Sequence, residues 1–131
     1  RYDDERRGIG GRMSELLRLQ IEFTRMVGLL IEYAYMNGYQ LTFGETYRPK
    51  ETAALYAKKG IGSKNSLHCD RLAVDLNLFK AGNLDGSVKG YQLLGEFWEN
   101  MSKKDVKTCW GGRIKKLVDL NHFSVSFQGR K

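Results

Sequence analysis

The segment Leu72-Ala73-Val74-Asp75-Leu76-Asn77-Leu78-Phe79 alternates with a period of two, and no other feature constrains the fold so strongly. Successive side chains of an extended strand point to opposite faces, so Leu72, Val74, Leu76 and Leu78 share one face. Ala73, Asp75, Asn77 and Phe79 share the other. A second alternation closes the chain: from His122 to Phe127, Phe123, Val125 and Phe127 oppose His122, Ser124 and Ser126. An apolar row facing a core on each strand leaves the polar row free to line a cleft.

Helical periods surround these strands. After Ser14, a good N-cap, Leu16, Phe23, Val27, Leu30 and Ala34 recur at steps of seven, four, three and four up to Asn37. Gly38 stands where a glycine ends a helix. This long helix is expected to brace the sheet rather than to meet a membrane or a partner. Leu41-Thr42-Phe43 reads as a short strand, and Pro49 opens a helix running through Tyr56 to Lys58-Lys59 and Gly60. Residues 60–67 read as loop, Lys80–Gly86 as turn, and Tyr91 to Met101 as a third helix. The expected class is α+β: a small, mainly antiparallel sheet carrying the functional site, packed on a long N-terminal helix and two shorter ones. Residues 1–12 form a polar lead-in to a single domain over 13–131.

Composition narrows the function classes. With 131 residues and 41% hydrophobic content the chain suits one globular domain. The formal charge of +7 favours polyanions without choosing among nucleic acid, lipid and wall polymer, and the basic residues are scattered in pairs. No apolar run reaches membrane-spanning length. Charged, glycine-bearing first residues give no sign of a secretory signal. Cys69 and Cys109 allow at most one disulfide and are expected as reduced, partly buried thiols. A calcium reading of Asp85 fails for want of the ligand spacing such loops require.

The chain has two histidines, His68 and His122. If the two alternating strands are neighbours, His68, Asp75 and His122 converge. Two imidazoles and a carboxylate form a catalytic ligand set for one zinc ion, with a fourth position open. Asp119, three residues before His122, is placed to act as general base. Spacing alone leaves a plainer alternative, one core histidine and one surface histidine.

Wider strings decide between them. Ser66-Leu67-His68 with Asp75 follows the pattern Ser-x-His-x6-Asp, with Ala73 two before the aspartate. Asp119-Leu120-Asn121-His122-Phe123 follows Glu/Asp-x-x-His-aromatic, and Thr46-Tyr47-Arg48-Pro49 lies upstream. Together they resemble the zinc peptidases of bacterial cell-wall peptides, the VanY-like D-Ala-D-Ala carboxypeptidases and phage L-alanyl-D-glutamate endopeptidases, from about Leu41 to Phe127. The resemblance implies that His68, Asp75 and His122 bind zinc, that Asp119 is the catalytic base and that Arg48 holds a substrate carboxylate or developing oxyanion. Ser66 would assist in the same pocket. Two departures stand out: Asp119 replaces the commoner glutamate, and Arg71 stands where the family usually has glycine. The loop after His68 is therefore expected to take another path or to point the guanidinium outward. Arg48 has an alternative role, pairing with Glu45 or Glu51.

The resemblance implies peptidoglycan stem peptides as substrate, and anionic wall polymers as possible contacts of the basic surface. The small size, the basic surface and the lack of a visible signal turn this expectation towards a phage or prophage endopeptidase, made in the host cytoplasm and acting at the wall, with a monomer as the default. A D-Ala-D-Ala carboxypeptidase and a non-catalytic wall-binding module are the alternatives. Nucleic acid binding rests on charge alone, without a recognisable motif, and is not expected.

Overall fold

A computed structural model describes residues 13–131; the polar lead-in, residues 1–12, lies outside the described residues. Helix α1 spans Glu15–Met36, with Ser14 Oγ accepting from the amide of Leu17 at 3.1 Å. At its far end Gly38 has φ 84°, a left-handed conformation open to glycine at little cost. Strand β1 (Gln40–Phe43) follows, then helix α2 (Lys50–Lys58) behind Pro49. Strand β2 (Ala73–Lys80) pairs with a two-residue β3 (Asn83–Leu84). Helix α3 (Val88–Asn100), strand β4 (Thr108–Trp110) and strand β5 (His122–Val125) complete the order. The class is α+β.

The sheet runs β1-β2-β5-β4, every pairing antiparallel, with β3 on the side of β2. Val74, Leu76 and Leu78 of β2 and Phe123 and Val125 of β5 are buried in one core with Leu19, Phe23, Met26, Val27, Leu30 and Ala34 of α1. Leu94 and Trp98 of α3 join them. The Trp98 ring stands edge-on to Phe23 and Phe123 at 5.7 and 6.0 Å, and its Nε1 donates to Ser124 O at 3.0 Å. Tyr91 fastens the same helix to β2, its hydroxyl donating to Leu76 O and accepting from the Leu78 amide, both at 3.0 Å. Fully burying side chains of this kind stabilises by about 1.5–3 kcal/mol each, so the face opposite the polar row is anchored firmly.

Three expectations need correction. Helix α3 begins at Val88, three residues before Tyr91, because Ser87 Oγ caps it by accepting from Gly90 N at 3.3 Å. Strand β3 lies where a turn was expected, and strand β4 forms in a stretch to which the sequence assigned no element. Ser124, on the polar row, is fully buried rather than lining a cleft.

Candidate metal centre

Asp75 and His122 are direct register partners across β2 and β5, so both side chains leave the sheet on the same face. His68 arrives from a 3-10 turn, Leu67–Asp70, rather than from an extended segment. Ser66 caps that turn, its Oγ accepting from the His68 amide at 3.1 Å. His68 Nε2 lies 3.4 Å and His122 Nδ1 3.5 Å from Asp75 Oδ1. The imidazole rings stand 5.5 Å apart at 70°.

Among the described residues one group of His, Cys, Asp and Glu side chains could hold a metal ion: His68, Asp75 and His122, with donor atoms all within 4.8 Å. Ligands of a tetrahedral zinc at about 2.1 Å stand roughly 3.4 Å from one another, close to both histidine–aspartate separations. Asp75 Oδ1 is buried without a hydrogen bond, a costly state for a carboxylate oxygen unless something else compensates it. Neither Cys69 nor Cys109 belongs to the group, and both are free, half-buried thiols.

The segment between β1 and α2 holds this arrangement through its backbone. Gly44 N donates to Asp75 O at 2.7 Å, and Asp75 N donates to Glu45 O at 2.9 Å. His68 Nδ1 lies 2.9 Å from Thr46 O, and Arg48 N donates to His68 O at 3.1 Å. A carbonyl partner requires a proton on Nδ1, which leaves the Nε2 lone pair facing Asp75. Residues 44–48 thus fix both the position and the tautomer of a ligand.

Electrostatics follow. Burial works against an ionised Asp75, but His122 and His68 facing it hold the carboxyl at about 2. Burial likewise pushes His68 down, and Asp75 together with the Thr46 carbonyl lifts it above the usual histidine value. The Asp119 carboxyl is raised, by desolvation first and by Asp75 second, against His122 and His68.

A cleft of about 430 Å³ opens over the three ligands, with Arg48, Ser66 and Asp119 in its wall and Ile61 and Leu117 at its rim. All six residues singled out by sequence therefore border one cavity. Gly111 explains how Asp119 gets there. Asp119 N donates to Gly111 O and His122 N to Asp119 O, each at 3.1 Å. A Cβ on Gly111 would lie 2.0 Å from Asp119 O and 2.9 Å from His122 Cβ, so only glycine lets the loop close this tightly.

Arg48 pairs with Glu45: Nε donates to Oε2 at 3.0 Å, and Nη2 contacts Oε1. Its guanidinium also lies 5.0 Å from the Tyr56 ring centre. The Glu45 carboxyl is lowered chiefly by this arginine. Sequence named Glu45 only as one of two candidate partners; its service to Arg48 and, through its carbonyl, to Asp75 had no sequence signal. Arg71 bears on the two alternatives expected for the loop after His68. It adopts the left-handed conformation, φ 56°, a conformation that favours the glycine usual in the resembled family. Its guanidinium covers the Tyr47 ring at 4.0 Å.

No family model and no curated protein matches the sequence. Solved structures do. The L-Ala D-Glu endopeptidase ChiX of Serratia marcescens superposes with a TM-score of 0.69 at 21% identity, over 82% of this chain and 80% of that one. A variant of the vancomycin-resistance D,D-pentapeptidase VanY from a VanB-type cassette, in complex with Zn(II), superposes with a TM-score of 0.50 at 19% identity. That match covers 80% of this chain and 71% of that one. The chain shares their fold.

Proposed function

We propose that this chain is a zinc-dependent peptidase of peptidoglycan stem peptides, in particular an L-alanyl-D-glutamate endopeptidase of phage or prophage origin. The observation that carries the reading is the cross-strand pair Asp75–His122 with His68 closing on it around a buried carboxylate oxygen that lacks a hydrogen bond. The fold shared with ChiX, itself named as an L-Ala D-Glu endopeptidase, supports the same choice.

His68, Asp75 and His122 would hold one zinc ion. When bound there, zinc supplies a Lewis acid that polarises a carbonyl and makes water nucleophilic at neutral pH. The protein's residues do the rest. Asp119, in the wall of the same cleft, takes the proton of the attacking water and returns it to the leaving amine nitrogen. Arg48 offers a forked guanidinium to the developing oxyanion or a substrate carboxylate, and Glu45 keeps that fork from wandering. Ser66 sets the turn that presents His68. Synthesis in the host cytoplasm and action at the wall, as a monomer, complete the reading.

Mass spectrometry of fragments released from purified peptidoglycan tests it, with zinc-loaded and chelated protein side by side. The expected product has a new D-Glu amino terminus and disappears on chelation. Release of a terminal D-Ala alone would make the enzyme a carboxypeptidase. Retained zinc with no release from several wall types would refute the peptidase. Asp119→Ala should abolish turnover while leaving bound zinc and the melting temperature in place.

A further inference from the structure

The metal cleft shares a wall with a second cavity of about 680 Å³, and Asn65, Ser66 and Arg130 border both. The second cavity is cationic. Lys50, Lys64 and Arg130 line it against a single acid, Asp70. Arg130 is already engaged, with Nη2 2.6 Å from Asp70 Oδ2 and Nη1 donating to Asn65 O at 3.3 Å. Lys50 and Lys64 are not. Both are exposed, and among the described residues neither has an ion-pair partner.

We propose that this second cavity is a subsite for a carboxylate of the same peptide whose scissile bond lies in the metal cleft. The inference rests on the peptidase reading and adds to it the charge of the substrate. Two arrangements favour a substrate carboxylate over a free-standing polymer. The cavity adjoins the cleft at Asn65, Ser66 and Arg130, which line both, and Ser66 is the residue that caps the turn carrying His68. A group held there lies next to the cleft that would hold the reacting carbonyl. The glutamyl residue of a stem peptide carries its free α-carboxylate directly beside the scissile bond, on the carbon next to the amide nitrogen. The arrangement also uses the two lysines for what ammonium groups do well, meeting an anion as mobile point charges, while Arg130 and Asp70 keep the wall in shape.

The test compares two synthetic substrates with the zinc-loaded enzyme: an N-acylated L-alanyl-γ-D-glutamyl-L-lysine with its glutamyl α-carboxylate free, and the same peptide as the α-carboxamide. Two partly exposed charge contacts of up to about 1 kcal/mol each predict a preference of about five- to thirtyfold in kcat/KM for the free acid. K50Q/K64Q should bring the acid down to the level of its carboxamide. K58Q/K59Q, which removes the same charge from the other end of α2, should keep the preference. Equal cleavage of both peptides by the native enzyme would overturn the subsite and leave the peptidase standing. A preference that survives K50Q/K64Q, or is lost equally in K58Q/K59Q, would also overturn it. Cleavage of neither peptide would overturn the endopeptidase reading and the subsite with it.

Discussion

Replacing Gly111 by alanine places a methyl carbon 2.0 Å from Asp119 O and 2.9 Å from His122 Cβ. Atoms of this size rest about 3.5 Å apart, so the loop carrying Asp119 must retreat by roughly 1.5 Å. The obstacle is backbone, which cannot rotate aside as a side chain can. Overpacking of this kind costs about 1–3 kcal/mol. The bonds Asp119 N–Gly111 O and His122 N–Asp119 O are strained with it, each worth about 1 kcal/mol. A total near 3 kcal/mol lowers the melting temperature by roughly 10 °C in a chain of this length. Because His122 moves with the loop, zinc affinity measured against a competing chelator should fall at least tenfold. Gly28→Ala is the matched comparison: Gly28 lies exposed in the interior of α1 with nothing within 4 Å of an added Cβ. That substitution should stabilise by about 0.5–1 kcal/mol. If Gly111→Ala melts within about 2 °C of the native protein and binds zinc as tightly, the loop has slack and the steric reasoning fails.

Other outcomes follow from the same geometry. Zinc at a hundredfold excess over its dissociation constant should raise unfolding free energy by about 2.7 kcal/mol in denaturant titrations, and Asp75→Asn should remove most of that increment. Without metal, stability should decline at both ends of the pH range in urea unfolding. The lowered Asp75 contributes about 2 kcal/mol above pH 4 that is lost as pH falls towards about 2. The raised His68 contributes below its ordinary value, and that contribution is lost as pH rises through its folded value. A metal-free protein with flat stability from pH 2 to 8 would contradict both signs. Glu45→Gln frees the Arg48 fork, so kcat/KM should drop about tenfold with zinc stoichiometry unchanged; an equal fall in bound zinc would assign Glu45 to the metal instead.

What could be read from sequence was whatever has a local cause. Helix α1 matched its expected bounds because Ser14 and Gly38 end it by themselves. Asp75 and His122 were legible because alternation fixes a face, though their pairing needed the sheet. Strand β4 was hidden: Thr108-Cys109-Trp110 has no alternation to show and is a strand because β5 lies beside it. Ser124 looked exposed by pattern, yet the fold buries it. The clamp of residues 44–48 acts through main-chain amides and carbonyls, which any residue type supplies, so nothing in the letters could announce it.

The pairing of Asp75 with His122 has a consequence for how the chain reaches its native state. A slip of β5 by one residue would turn His122 towards the core and Phe123 towards the cleft, since side chains alternate along a strand. Only one register assembles the three ligands, so a metal ion held by them during folding would favour that pairing of β2 with β5 over every misaligned one. The ion would act as a proofreader of strand alignment before any substrate arrives.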